Sequence, residues 1–300
     1  MRSSISGQLV TLTAGIASLS VEAQFGNFMK RNQNFDSTAL RQAVLDMAYA
    51  GSTVHIACAF SIIEILAVLY REHLRYPDDR PDHPLRDYLV LSKGHGVMAQ
   101  YACLHEKGWI ESRELANYFK DGTRLRGLSE AQIPGIEVTS GSLGHGLSVG
   151  VGLALAAKRK GTDQICYAIV GDGEANEGSI WEAFQFAAHF KLDNLIVILD
   201  KNGFQAMGAT TEVMDLADMH AKLSAFEFDV MTVDGHDEAA LHDSIATLKA
   251  LKNGRPKGII AQTIKGKGVS FMEGQNIWHY TRLSHETYRA ASDELMVKSK

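Results

Sequence analysis

Short apolar runs alternate with longer amphipathic stretches along this chain, and the two patterns predict different elements. Residues 165–170 (ICYAIV) and 195–199 (LIVIL) are continuously apolar, as strands buried on both faces of a parallel sheet are. Between them, in 178–192, Ile180, Trp181, Phe184, Ala187 and Ala188 recur with helical spacing. Further strands are expected at 86–92, 229–233 and 258–263. Helices are expected after a Ser37-Thr38 cap, over 60–73, from Val97, and over 111–119, 147–160, 213–225 and 238–252. Residues 121–140 carry no period and predict a long loop, a feature that in compact domains is commonly functional. Strands alternating with helices in this order predict an α/β fold, a doubly wound, mainly parallel sheet with helices on both faces.

The strand tips are polar and rich in glycine. The run at 165–170 ends in Gly171-Asp172-Gly173 and the run at 195–199 in Asp200-Lys201-Asn202-Gly203. Lys93-Gly94-His95-Gly96 follows the strand at 86–92, and Gly141-Ser142-Leu143-Gly144-His145-Gly146 precedes a helix. Open parallel sheets hold ligands at such tips, where helix N-termini offer N–H groups to anions. Asn202 stands thirty residues after Asp172 with one helix between, so neighbouring strands would bring both oxygens into one crevice. A carboxylate, an amide oxygen and a main-chain oxygen suit Mg²⁺ carrying phosphate oxygens. Gly171, Gly173 and Gly178 would let a diphosphate approach the backbone closely. Glycines at 144, 146, 150 and 152 weaken a helix by about 1 kcal/mol each, which predicts close packing against another backbone or a ligand.

Composition narrows the function. The 300 residues are 45% hydrophobic, enough for a sizeable core, and the net charge of -5 lacks the basic excess that nucleic acid or an anionic membrane surface requires. Cys58, Cys103 and Cys166 are odd in number and set among apolar residues, which predicts reduced, packed thiols and a cytoplasmic protein. Residues 9–23 have the faint outline of a leader, interrupted by polar residues, and no run reaches the length of a membrane-spanning helix. The expected organisation is an N-terminal arm at 1–37, one domain at 38–282 and a C-terminal helix or tail at 283–300.

GDGEANEGSIWEAFQFAAHFKLDNLIVILDKNG, LVLSKGHG, GIEVTSGSLGHGLSVGVGLALA, VDGHD and KGKGVSFME together resemble the transketolase family, in the family's order, across residues 38–282. The resemblance implies the family's thiamin diphosphate-binding fold and transfer of a two-carbon ketol unit from a ketose to an aldehyde. It implies Mg²⁺ on Asp172, Asn202 and the main-chain oxygen of Phe204, with Gly171, Gly173 and Glu174 beside the cofactor. His55, His95 and His279 match active-site histidines, Gly141, Ser142 and Leu143 the cofactor channel, and Glu177 an acidic residue linking paired sites. The matching text ends with the diphosphate-binding part, so a separate pyrimidine-domain subunit is expected to complete an α2β2 enzyme and to supply the activating glutamate. Rival readings are a 1-deoxyxylulose-phosphate-synthase-like carboligase, a 2-oxoacid dehydrogenase α subunit, a non-catalytic thiamin diphosphate-binding subunit and a Mg²⁺-phosphohydrolase on Asp172, Glu174 and Glu177.

The sequence departs from the family around the substrate. Gly127-Leu128-Ser129 stands where Gly-His-Pro is usual, His145 replaces a glutamine, Tyr280 follows the Trp278-His279 pair in place of glycine, and His55 lies in TVHIAC. An apolar group where a hydrogen-bonding one is usual predicts a non-standard sugar substrate, with His145 expected to restore the lost bond.

Overall fold

A computed structural model describes residues 34–298, so the leader-like stretch lies outside the described residues. Helices α1 (Ser37–Ala50), α2 (Ile56–Phe60) and α3 (Ile63–Val68) precede strand β1 (Tyr88–Leu91) and helix α4 (Val97–Glu106). A short α5 (Ser112–Ala116) leads into residues 120–142, which hold neither helix nor strand, as expected. Helix α6 (His145–Lys160), β2 (Cys166–Gly171), α7 (Gly178–His189) and β3 (Leu195–Lys201) follow. Helices α8 (Thr210–Val213) and α9 (Met219–Ala225), β4 (Asp229–Asp234), α10 (Glu238–Ala250), β5 (Lys257–Gln262) and α11 (His285–Lys298) complete the domain.

The sheet runs β1-β2-β3-β5-β4 with every neighbouring pair parallel. Alternate strand residues feed two cores. Leu89, Tyr167, Ile169, Ile196 and Ile198 pack with α1 to α4 and α10, whereas Val90, Ala168, Val170, Val197 and Leu199 pack with α6, α7 and α9. Both faces are covered, which is why these strands read as unbroken apolar runs rather than alternating ones. The register pairs Gly171 with Asp200, so β3 runs one residue past β2 and brings the turn at Asn202-Gly203 to Asp172, whose Oδ2 accepts the Gly203 N–H.

Three expectations are corrected. The first helix is capped by Asp36, whose Oδ1 accepts the Ala39 N–H at 2.8 Å, while the Ser37 hydroxyl is turned to Glu238. The stretch at 60–73 is two short helices and a π-helical turn (Leu69–His73), broken where the Ser61 hydroxyl reaches the Cys58 main-chain oxygen and the Asp200 carboxylate. The stretch at 213–225 is split because Asp215 accepts the Ala217 N–H and Asp218 caps α9 through the Ala221 N–H, each at 3.0 Å. Short acidic side chains prefer such local bonds to helix interiors.

Candidate active site

A cavity of about 400 Å³ opens at the carboxyl ends of β1, β2 and β3. Its floor is the cradle that the spacing predicted. Asp172 is 2% exposed, and its Oδ1 and Oδ2 accept the N–H groups of Gly173 (2.7 Å) and Gly203 (2.6 Å). Burial, and then the nearby Asp200 carboxylate, push Asp172 up to about 7. Asn202 accepts the Phe204 N–H at 3.0 Å through Oδ1 and donates from Nδ2 to Asp200 at 3.0 Å.

Glu174 acts as a clamp beside this cradle. Its Oε1 accepts the Ser92 hydroxyl (2.5 Å) and the Gly144 N–H (2.8 Å), and its Oε2 accepts the Gly171 N–H (3.0 Å). The Ser92 hydroxyl oxygen in turn accepts the Leu147 N–H at 3.1 Å. One buried carboxylate therefore joins the tips of β1 and β2 to the start of α6. Gly144, with φ at 87°, has no room for a side chain, since a Cβ would meet the Ser179 hydroxyl at 2.4 Å.

Three histidines close in from above. The ring centroids of His55 and His95 lie 5.5 Å apart, of His55 and His279 5.1 Å, and of His95 and His279 5.6 Å. His55 adopts a left-handed backbone with φ at 71°, pinned by its N–H donating to the His279 carbonyl at 3.0 Å. Such conformations in residues other than glycine cluster at functional sites. Burial, and then the charge of Lys265, hold His279 down at about 3; burial followed by the Lys93 charge holds His95 well below the usual imidazole range. Burial lowers His55 as well. All three imidazoles are neutral at physiological pH. Lys265 Nζ donates to His279 Nδ1 at 3.0 Å, so that nitrogen is an acceptor and Nε2 carries the proton.

Of the other expected residues, Gly141, Leu143, Gly171, Gly173, Glu177 and Phe204 line the cavity. Ser142 is exposed and does not line it. His145 opens α6, is exposed and is not among the residues lining the cavity. Leu128 itself lines the cavity.

The sequence did not single out several residues that the fold brings here. Lys265, which belongs to the KGKG run, is 1% exposed and also donates to the carbonyl of Gln205 (3.3 Å) and to Asn276 Oδ1 (2.9 Å). Lys93 and Asp200 form a buried ion pair behind the cradle. Cys58 Sγ lies 3.5 Å from His279 Nδ1. Gln205 lines the cavity with its Nε2 buried and unpartnered, against Gly173, where a Cβ would lie 3.0 Å from Gln205 Cγ.

These groups fit a diphosphate with its cation. The orphaned Gln205 amide N–H₂ stands ready for a phosphate oxygen, and Gly173 beside it leaves room for one. The Asp172 carboxylate and the Asn202 amide oxygen in the same cavity are hard oxygen donors of the kind that suit Mg²⁺. Fold and site together define a diphosphate-binding α/β domain.

Comparison with known proteins takes this further. Residues 33–299 match the family described as transketolase, thiamine diphosphate binding domain. The chain is 41% identical over 258 residues to one subunit of the apulose-4-phosphate transketolase of Phocaeicola vulgatus, covering 85% of this chain and 90% of that one. It is 40% identical over 242 residues to the 6-deoxy-6-sulfo-D-fructose transketolase subunit SqwG of a Clostridium species, covering 80% of this chain and 88% of that one. The transketolase of Leishmania mexicana superposes with a TM-score of 0.82 at 32% identity, over 89% of this chain and 42% of that chain. The transketolase of Campylobacter jejuni does so with 0.80 at 30%, over 89% and 43%. The chain belongs to the transketolase family, as an N-terminal, thiamin diphosphate-binding subunit. It spans less than half the length of those solved transketolases.

Proposed function

We propose that this chain is the cofactor-binding half of a split transketolase, which moves a two-carbon ketol unit from a ketose to an aldehyde. The observation that carries this reading is the cradle of Asp172 and Asn202 lying beneath three neutral histidines in one cavity. Asp172, Asn202 and the main-chain oxygen of Phe204 would hold Mg²⁺, and the unpartnered Gln205 amide would donate to the diphosphate. Bound thiamin diphosphate supplies the nucleophilic carbon and the electron sink. His279, with its proton on Nε2, donates a hydrogen bond to a substrate oxygen, and His55 and His95 give or take protons at the hydroxyls nearby. Glu177, exposed at the start of α7 and free of a capping bond, faces the neighbouring subunit.

A separate pyrimidine-domain subunit completes the enzyme in an α2β2 assembly. The solved transketolases that superpose on this chain are more than twice as long, and the relatives of matching length carry the word subunit in their names. An apolar groove between α6 and α7, lined by Val151, Gly152, Ala183 and Phe186, supports an extensive contact, with Phe186 39% exposed. The three buried, free cysteines suit a reducing compartment, and we place the assembly in the cytoplasm. The test is reconstitution. The chain alone, with thiamin diphosphate and Mg²⁺, should show no ketol transfer, and adding the partner should produce it; full activity of the isolated chain would refute the division of labour.

We also read the substrate as non-standard. Leu128 projects at the cavity, and its backbone is held firmly, with the Tyr101 hydroxyl shared between the carbonyls of Leu128 (3.3 Å) and Arg126 (3.2 Å). Ser140 N–H donates to the Ser129 carbonyl at 3.1 Å. A Leu128→His variant should raise kcat/KM for xylulose 5-phosphate by about tenfold, the worth of one recovered hydrogen bond. Unchanged kinetics would place donor recognition elsewhere.

A further inference from the structure

Asp200, the penultimate residue of β3, has no exposed surface and does not line the cavity, yet four side-chain donors converge on it. Its Oδ2 accepts the Lys93 ammonium, the Ser61 hydroxyl at 2.8 Å and Asn202 Nδ2 at 3.0 Å; its Oδ1 accepts the Thr263 hydroxyl. Its main-chain oxygen accepts the Asp172 N–H at 3.1 Å. Lys93 Nζ is held in turn by the Cys58 carbonyl at 3.2 Å. One buried residue therefore touches both members of the cradle and ties them to β1, β5 and the break between α2 and α3.

An asparagine amide has two unlike ends. The oxygen attracts a cation and the N–H₂ repels it, and rotation about χ2 exchanges them. In Asn202 the nitrogen is engaged by the Asp200 carboxylate, and the oxygen is left toward the Phe204 N–H and the cradle. We propose that Asp200 is a positioning residue that fixes the amide of Asn202 with its oxygen toward the cation, and that Lys93 is the counter-charge buried against that carboxylate. The inference rests on the reading of Asp172 and Asn202 as cation ligands. Partners that orient metal ligands typically carry ten- to hundredfold of the affinity.

The test is Mn²⁺ binding to the full chain in the presence of thiamin diphosphate, read by the electron paramagnetic resonance signal of free Mn²⁺. Asp200→Leu combined with Lys93→Met removes both buried charges together, so no ammonium is stranded and no acceptor is left for Asn202 Nδ2, and it should weaken Mn²⁺ roughly ten- to hundredfold with the circular dichroism spectrum retained. Asn202→Asp supplies the discriminating background, because a carboxylate has oxygen at both ends and needs no orienting. There the same pair of changes should cost less than about threefold, whereas a merely structural role would cost the same in both backgrounds. Equal losses in the two backgrounds, or no loss in the first, would overturn the inference while leaving the cradle intact. If wild-type Mn²⁺ binding were absent, or survived Asp172→Ala, the cradle and the inference would fall together.

Discussion

Replacing Asp172 by Ala is expected to abolish cation-dependent binding of thiamin diphosphate and to lower ketol transfer by the assembled enzyme on the order of a thousandfold, the worth of several kcal/mol of charge stabilisation. Both oxygens of Asp172 are fixed by backbone N–H groups at 2.6 and 2.7 Å, and each keeps a lone pair for a cation. Buried beside Asp200, the carboxylate is pushed up to about 7, a position that a bound divalent ion relieves by supplying the missing positive charge. Asp172→Asn keeps the shape and removes the charge, so it separates loss of ligand strength from loss of fold. Cofactor titration by intrinsic fluorescence, with and without Mg²⁺, reads the effect. A variant whose affinity responds to Mg²⁺ as the native chain does would sink the cradle.

The second large effect is expected at Lys265. Lys265→Met should reduce kcat about a hundredfold, within the range a positioned proton donor contributes, and should create a new acid limb in the pH–rate profile. His279 is held at about 3 by burial first and by the Lys265 charge second, against an ordinary value of 6.5. Removing the charge moves His279 back toward that value, and removing the donor to Nδ1 frees the imidazole to change tautomer. The stability consequence has a definite sign. A folded-state value below the unfolded one contributes stability that is fully present above pH 6.5 and is lost as pH falls toward 3. The variant should show a narrower window of acid sensitivity in its thermal midpoint, together with a kinetic acid limb displaced upward from about 3 by loss of the second of those causes. Superimposable pH profiles for variant and native enzyme would show that Lys265 does not govern His279.

The strands and the cradle were legible in the sequence because they obey local rules. A strand covered on both faces must be apolar throughout, and a glycine-flanked aspartate at its tip has few structural alternatives. The pairing of Gly171 with Asp200 turned a separation of thirty residues into adjacency. Buried cations were not legible. Lys93 and Lys265 look like surface residues until Asp200, Gln205 and Asn276, all distant in sequence, surround them. The breaks in the stretches at 60–73 and 213–225 arise the same way, from Ser61 bonding across the core and from aspartates bonding locally against a helical pattern. The exposure of His145 was not legible either, because a motif position specifies neighbours along the chain and not which side of α6 meets solvent.

The clamp at Glu174 and the support beneath Leu128 share no hydrogen bond. Glu174 binds Ser92, Gly144 and Gly171, whereas the backbone at 126–129 hangs from Tyr101 and Ser140. A change of side chain at 128 therefore breaks none of the bonds that build the cofactor seat. The fold is modular at the scale of single residues: the cavity wall at Leu128 can change by point mutation while the hydrogen bonds around Glu174 stay in place.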